Sequence, residues 1–322
     1  MIDVVVAGLE TSVQDFPGRI GFWNQGFPPS GPFDSWSFRL ANLLVGNPAD
    51  AAGLECQYVG PTLKFTQPAV IAVTGADMTP PLDATPGPLW QSVAVKPGQV
   101  LKMGPAKFGT RAYIAIAGGL DTVPWLGSRS TFHKAGVGGL AGSALKKGSQ
   151  IPVAYAAGTP GRSVKPDCRP EFSSNKQWQI EVVPGPDDDW IDEAGQARFL
   201  GSDWKLSGKS DRTGFRLDGP QWTFTAKAYD KLPENGSEPS NIIDHGYPLG
   251  AINLAGQTPI ILVSDGPSMG GFINPYTVPS AAFWKLGQSR PGDIYRFKAV
   301  SVDEAQALRR TLDALCSESS LA

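Results

Sequence analysis

The chain has 322 residues, 28 basic and 30 acidic, with a formal net charge of −2; a balance this close to neutral offers no electrostatic basis for binding nucleic acid or an anionic membrane. Glycine (38) and proline (29) are abundant and charged residues make up only 18%, a composition of many short strands joined by turns. The two histidines, His133 and His245, exclude a multi-histidine zinc site, and no P-loop or G-x-S-x-G elbow occurs.

The length predicts two domains. Cys56, Cys168 and Cys316 are too scattered for a disulfide framework or a zinc ligand set. The opening MIDVVVAGLE has an acidic third residue and an apolar run too short for a signal peptide. No stretch approaches the length of a transmembrane helix, so the cytoplasm is the expected compartment.

In chain order, residues 4–9 read as a first strand and Thr11 to Ser30 as a turn-rich segment. Asp34 or Ser35 caps a helix that runs to Val45, with Gly46 just past its end. Ala49 to Glu55 is expected to add a short helical turn. Strands follow at 57–59, 62–65, 70–73, 93–95, 100–103, 111–117 and 150–153. The Pro/Gly-rich segment Tyr155 to Asn175 reads as a linker. It separates a first half, residues 1–155, from a second, residues 176–322, which ends in a helix.

In the second half Gln179 to Val183 is a strand. Asp187 to Asp189 are expected to open a helix that ends near Gly201, since negative charge is favoured at a helix N-terminus. Ser280 caps a helix over 281–286, and Ser301 with Glu304 forms a capping box for a terminal helix to about Leu315.

One stretch, Ser240 to Phe272, stands out. A polar turn carries Asn241, Asp244 and His245; strands follow over 251–254 and 260–263. The second leads into Asp265-Gly266-Pro267-Ser268-Met269-Gly270-Gly271. Glycines there let backbone N–H groups approach a ligand, and Asp265 stands where polar chemistry can be aimed. The plainer reading is a tight turn with a capping aspartate.

A weak repeat links the halves. Gly60-Pro61-Thr62-Leu63-Lys64-Phe65 matches Gly219-Pro220-Gln221-Trp222-Thr223-Phe224, and Lys96-Pro97-Gly98 matches Arg290-Pro291-Gly292, in the same order. The second copy carries an insertion that includes Asn235 to Tyr247. Two related β-barrel-like halves with a few short helices are expected, mainly β in class.

The segments TSVQDFPGRIGF, SGPFDSWSFRLANLLVGNP, GPTLKF, VTGADM, RAYIAIAGGLD, LGSRSTF, SDRTGFRLDGP and DGPSMGGF together resemble the biotin-dependent carboxyltransferase family. That family contains allophanate hydrolase subunit 2, KipA and the C subunit of 5-oxoprolinase, and the resemblance spans roughly Val5 to Phe297. The stretches EPSNIIDHGYPLGAINLAGQTPIIL and SDGPSMGGFINPYTV lean toward the carboxyltransferase domain of urea carboxylase. The resemblance implies cyclophilin-like β-barrels and transfer of CO2 from carboxybiotin to a urea-type nitrogen. The chain has no Ala-Met-Lys-Met biotinyl site and no room for an ATP-grasp domain. Biotin is therefore expected on a partner carrier protein and ATP only at a partner biotin carboxylase. A KipI-like subunit, akin to allophanate hydrolase subunit 1, is the further expected partner, and the isolated chain is expected to be inactive.

Such a reaction needs a directional grip on a small planar substrate, an acceptor for its amide proton, and exclusion of water. Asn241 suits the first, because its amide offers donors and an acceptor; Ser240, Gly266, Ser268, Gly270 and Gly271 are the other candidate substrate contacts. Asp265 and His245 are the candidate catalytic groups. Arg129 and Arg212 are candidates for binding carboxybiotin. Plainer roles stand beside these: an Asx turn for Asn241, a hydrogen-bonded loop histidine for His245, and loop-anchoring Arg–Asp pairs, with Asp15 or Asp211, for the arginines. No metal ligand set is expected. The alternatives in function are the C subunit of an ATP-dependent 5-oxoprolinase and a KipA-like regulatory module.

Overall fold

The computed structural model describes residues 1–83, 85 and 87–322. The first half contains β1 (Ile2–Val6), β2 (Glu10–Gln14), α1 (Ser35–Val45), β3 (Gly53–Gln57), β4 (Thr62–Phe65), β5 (Ala69–Asp77), β6 (Ser92–Val95), β7 (Val100–Lys102), β8 (Phe108–Ile116) and β9 (Gln150–Ile151). The second contains β10 (Gln177–Pro184), α2 (Glu193–Gly201), β11 (Trp204–Leu206), β12 (Gly214–Asp218), β13 (Asn241–Gly246), β14 (Ala251–Ala255) and β15 (Thr258–Leu262). β16 (Met269–Phe272), β17 (Tyr276–Thr277), α3 (Phe283–Gln288), β18 (Ile294–Ala299) and α4 (Val302–Leu315) complete it. The class is mainly β, and no helix is long and apolar enough to cross a membrane among the described residues.

Strands of the first half form a four-stranded sheet, β7-β4-β1-β9, and a five-stranded sheet, β2-β3-β8-β5-β6. Alternate side chains explain how both faces of the larger sheet are buried. Ile71, Val73, Ile114 and Ile116 meet Ile2, Leu63, Phe65 and Leu101 of the smaller sheet. Val70, Ala72, Tyr113 and Ala115 meet Phe38, Leu40 and Leu44 of α1. Asp34 caps α1 by accepting from the Ser37 amide at 2.9 Å, and Gly46, at φ +82°, ends it. The first half is thus two packed sheets, whereas the second is a closed barrel in the order β10-β17-β14-β15-β12-β11-β18. Parallel pairing of β10 with β18 closes it. Phe199 of α2 plugs the barrel, stacked on Trp222, Tyr276 and Phe297.

Some local expectations are corrected. Residues 53–57, expected to lie partly in a helical turn, form β3, because they pair on both sides with β2 and β8. The turn-rich segment from Thr11 begins inside β2. Asp187 to Asp189 enter only a short 3-10 turn; the cap of α2 is Asp192, which accepts from Gly195 N at 2.7 Å. The terminal helix has its capping box, as expected from Ser301 and Glu304. It also returns to the first half: Arg39 of α1 binds Asp313 of α4 at 2.6 Å, and Leu315 packs on the α1 cluster.

The two halves meet around Glu55 of β3. Its carboxylate accepts from Arg212 Nη1 at 2.6 Å, from Tyr113 Oη at 2.9 Å and from Phe33 N at 2.8 Å. Arg212 also donates to Asp265 at 3.0 Å and to the Gly31 carbonyl at 2.8 Å. Beside it, Gln288 of α3 donates to Asp34 at 2.8 Å and accepts from Thr110 N at 2.9 Å.

Burial raises the Asp34 carboxyl from 3.8 to about 6, against hydrogen bonds from Ser37 and Gln288 that favour the ionised form. A carboxyl raised in the folded state is stabilising below its unfolded pKa, and that contribution is lost as pH rises through the folded value. Two units correspond to about 3 kcal/mol. Stability from this group is therefore expected to fall by about that amount between pH 4 and pH 7. Denaturant titrations across that range should give a flatter profile for Asp34→Asn than for the wild type; parallel profiles would remove Asp34 as the cause.

Candidate functional site

The insertion of the second half folds into a two-stranded antiparallel ribbon, β13 against β16, standing outside the barrel. Its register sets Asn241 opposite Phe272 and His245 opposite Gly270, with an irregularity between them. Neither strand shows apolar alternation; Met269 to Phe272 is half glycine, and only cross-strand pairing makes it extended. Tyr247 locks the ribbon. Its hydroxyl donates to the Phe272 carbonyl at 3.0 Å and accepts from Phe272 N at 2.6 Å. Gly270 lies beneath its ring, where a Cβ would sit 2.7 Å from Tyr247 Cε2, so no other residue fits without moving the tyrosine. Burial raises the Tyr247 pKa, helped by Asp244 and Asp187, and keeps the phenol protonated as a donor.

His245 stands edge-on to Tyr247, with ring centroids 5.2 Å apart, and its Nε2 is 3.4 Å from Asp187 Oδ2. Asp187 is itself held by the Asn274 amide at 2.8 Å. Asp187 is thus close to the ring, but His245 Nε2 is buried without a hydrogen-bond partner among the described residues. Asn241 holds the start of β13: its N–H donates to the Glu238 carbonyl at 3.0 Å, and its own carbonyl accepts from Lys231 Nζ at 2.8 Å. Its side-chain amide lies beside Gly236, where a Cβ would be 3.1 Å from Nδ2.

The other candidate residues divide into two groups. Ser240 is fully buried and its Oγ accepts from Gly256 N at 3.0 Å. Gly266 donates its N–H to Val263 at 2.7 Å, and the Ser268 carbonyl accepts from Tyr247 N at 2.8 Å. Arg129 donates to Thr122 O at 2.8 Å and to Asp121 at 3.2 Å, while its amide and the flanking Ser128 and Ser130 hydroxyls bind Asp15. Asp265 and Arg212 sit together in the junction network, away from Asn241 and His245 in the fold's hydrogen bonding. Burial acts to lower the Arg212 pKa, but Asp265 and Glu55 raise it overall, so the guanidinium stays charged. Asp265 Oδ1 is buried without a partner among the described residues; the residue borders a pocket of about 200 Å³ with His133, Lys134 and Asp211.

That pocket adjoins a larger cleft of about 320 Å³ beneath the ribbon, and Lys134, Asp211 and Thr213 line both. Lys134, Lys209, Asn253 and Tyr247 were not among the residues the sequence singled out. Only Asn253 carries a local signal, as the polar position of the apolar strand AINLA. No cluster of metal-ligating side chains exists among the described residues.

Comparison with known proteins gives a consistent outcome. The family model described as "Carboxyltransferase domain, subdomain A and B" matches residues 25–299. The urea amidolyase of Lachancea kluyveri is 39% identical over 97% of this chain but only 18% of its own length. The C subunit of the Escherichia coli 5-oxoprolinase is 33% identical, over 96% of this chain and 94% of its own. Among solved structures, the Kluyveromyces lactis urea carboxylase superposes with a TM-score of 0.93 at 37% identity, covering 100% of this chain and 30% of that one. The chain thus spans about a fifth to a third of the urea amidolyase and urea carboxylase it matches.

Proposed function

From the premise that the chain belongs to the carboxyltransferase subdomain A and B family, we propose that it is the half of a biotin-dependent carboxyltransferase that grips urea or a close relative. Biotin, carried on a partner protein, supplies the carboxyl group, and ATP is used at a partner biotin carboxylase. Residues 1–155 and 176–322 are taken as the two halves of the chain, acting in the cytoplasm. The observation that carries the reading is the ribbon, which gathers Asn241, His245, Gly270 and Phe272 from two distant segments.

In this reading Asn241 pairs with the carbonyl and one N–H of the substrate. His245, which lies near Asp187, accepts the proton that the attacking nitrogen releases. Gly270 leaves room for the tyrosine that holds the ribbon flat. Asp265 and Arg212 keep the barrel mouth in register with the first half, and Arg129 fixes the neighbouring loop. Ile243 and Met269 of the ribbon are 61% and 58% accessible. Apolar surface of this kind calls for cover, and a KipI-like partner subunit would supply it and exclude water.

The test is reconstitution. The chain mixed with a KipI-like subunit, biotin carboxylase, biotinylated carrier, ATP and bicarbonate should consume ATP in response to urea, and the chain with ATP and bicarbonate alone should not. Urea turnover by the isolated chain would overturn the dependence on partners. The second reading, the C subunit of a 5-oxoprolinase, is favoured by the near-complete mutual coverage with the Escherichia coli protein. Biotin-independent opening of 5-oxoproline in the same assay would select it.

A further inference from the structure

We propose that a cleft on the seam between the two halves is a binding site for a small carboxylate with an apolar tail. The site is distinct from the one read above as the carboxyltransferase centre: it shares no lining residue with the cleft beneath the ribbon. Pro17, Pro28, Pro29 and Pro32 keep the segment from Phe16 to Phe33 out of a helix, so it crosses the seam as a loop. Its end is tied to the junction. Ser30, at φ +57°, donates its N–H to the Ser264 carbonyl at 3.0 Å. The Gly31 carbonyl accepts from Arg212 at 2.8 Å, and Phe33 N donates to Glu55 at 2.8 Å. Pinned along this edge and stiffened by proline, the loop does not collapse onto the second half. A cleft of about 250 Å³ remains between it and Leu249, Ser264, Ser280 and Phe283. That is room for about eight non-hydrogen atoms, at the ~30 Å³ that a water molecule occupies.

Two kinds of chemistry meet there. Phe16, Ile20, Phe33, Leu249 and Phe283 make the walls apolar, which favours burial of an apolar tail. Charge comes from α4. Arg309 borders the cleft, and its Nε donates to Asp313 at 2.9 Å. Arg39 takes the other oxygen of the same carboxylate at 2.6 Å and lies over the Phe16 ring, 5.1 Å from its centroid. Two guanidiniums thus share one carboxylate and leave a net positive charge at the rim. The terminal nitrogens of Arg309 make no hydrogen bond among the described residues, and their fork matches a carboxylate. The carboxyl of Asp34, next to the lining residues Phe33 and Ser35, is taken by Ser37 and Gln288. No asparagine or glutamine lines the cleft among the described residues, so it has no side-chain amide to match a urea-type group. An acid seated with its tail between Phe33 and Phe283 and its carboxylate at Arg309 touches both halves and α4. It binds only the folded seam and therefore stabilises it.

The full chain is titrated by calorimetry with hexanoate and with phenylacetate, each beside its neutral primary amide. At least one acid is expected to bind with a dissociation constant of about a millimolar or below and to raise the thermal midpoint. Its amide should bind roughly tenfold more weakly. Arg309→Gln should weaken the acid by about the same factor and leave the amide unchanged. Arg39 still holds Asp313 in this variant, so α4 keeps its anchor. Ser280→Trp, a change at an exposed rim position, should fill the mouth and weaken acid and amide together. If Arg309→Gln fails to fold, Arg309→Lys serves: it keeps the charge but loses the fork, and binding of the acid should still fall. No heat from either acid at about ten millimolar, equal affinity of acid and amide, or any of these variants binding the acid like the wild type overturns the proposal. These are binding measurements on the chain alone, so their failure is separable from a failure of urea turnover in the reconstituted system.

Discussion

Arg212→Ala is expected to destabilise the protein by about 3–5 kcal/mol, the cost of stranding buried charges after one partner of a network is removed. Arg212 is 6% exposed and donates to Glu55, Asp265 and the Gly31 carbonyl. Its guanidinium also lies 5.4 Å from the Phe33 ring, over which Arg111 stacks at 4.3 Å. Truncation leaves two carboxylates in a nearly dry junction, where neither water nor Arg111 alone can neutralise both. The surface pair Arg296–Asp203 is the contrast: both side chains are about half exposed, and Arg296→Ala should cost less than about 1 kcal/mol. Denaturant midpoints of the two variants measure the difference. Because the network joins the halves, the Arg212 variant should also show separated transitions by tryptophan fluorescence and far-UV circular dichroism. A loss under about 1 kcal/mol with coincident transitions would show that the Arg212 network does not hold the halves together.

Asn241→Asp is expected to shift substrate choice by roughly ten- to a hundredfold, the worth of about 1–3 kcal/mol in one polar contact. Urea presents a carbonyl acceptor, which an asparagine NH2 satisfies. Guanidinium presents only donors and a positive charge, which a carboxylate satisfies through a charge-assisted pair. The ratio of kcat/KM for urea over guanidine should therefore fall in the variant. Two features of the fold make the substitution a clean one. The backbone of Asn241 is held by Glu238 and Lys231 independently of its side chain. Lys231 also offers a nearby positive charge that tolerates a new carboxylate. The measurement is made in the reconstituted complex, with thermal melts confirming that the variant folds. An unchanged ratio would leave Asn241 as the residue that starts β13 and nothing more.

Local chemistry was enough to read part of this molecule. The α1 helix has its cap at Asp34 and its stop at Gly46, and α4 has a complete capping box; both signals act within one turn of chain. The apolar runs that became β5, β8 and β15 are buried strands, because their side chains have no alternative but a core. The strand-rich class and the prominence of Ser240 to Phe272 followed from composition and from the turn chemistry of that stretch.

What tertiary structure alone decided is which of these residues meet. β3 lies where a helical turn was expected, since its extended form is stabilised by two neighbouring strands and not by its own propensity. β13 and β16 have no period-two pattern, and their pairing depends on Tyr247 folding back across Gly270. Arg212 and Asp265 are 53 residues apart, and Arg212 and Glu55 are 157 apart, so no local signal joins them. The same holds for Asn253. Its position in AINLA marks it as polar, but the cleft it lines exists because a ribbon from another part of the chain packs beside the barrel wall. Strand and helix preferences are short-range energies, whereas a site is set by contacts whose loop-closure cost the whole fold must offset.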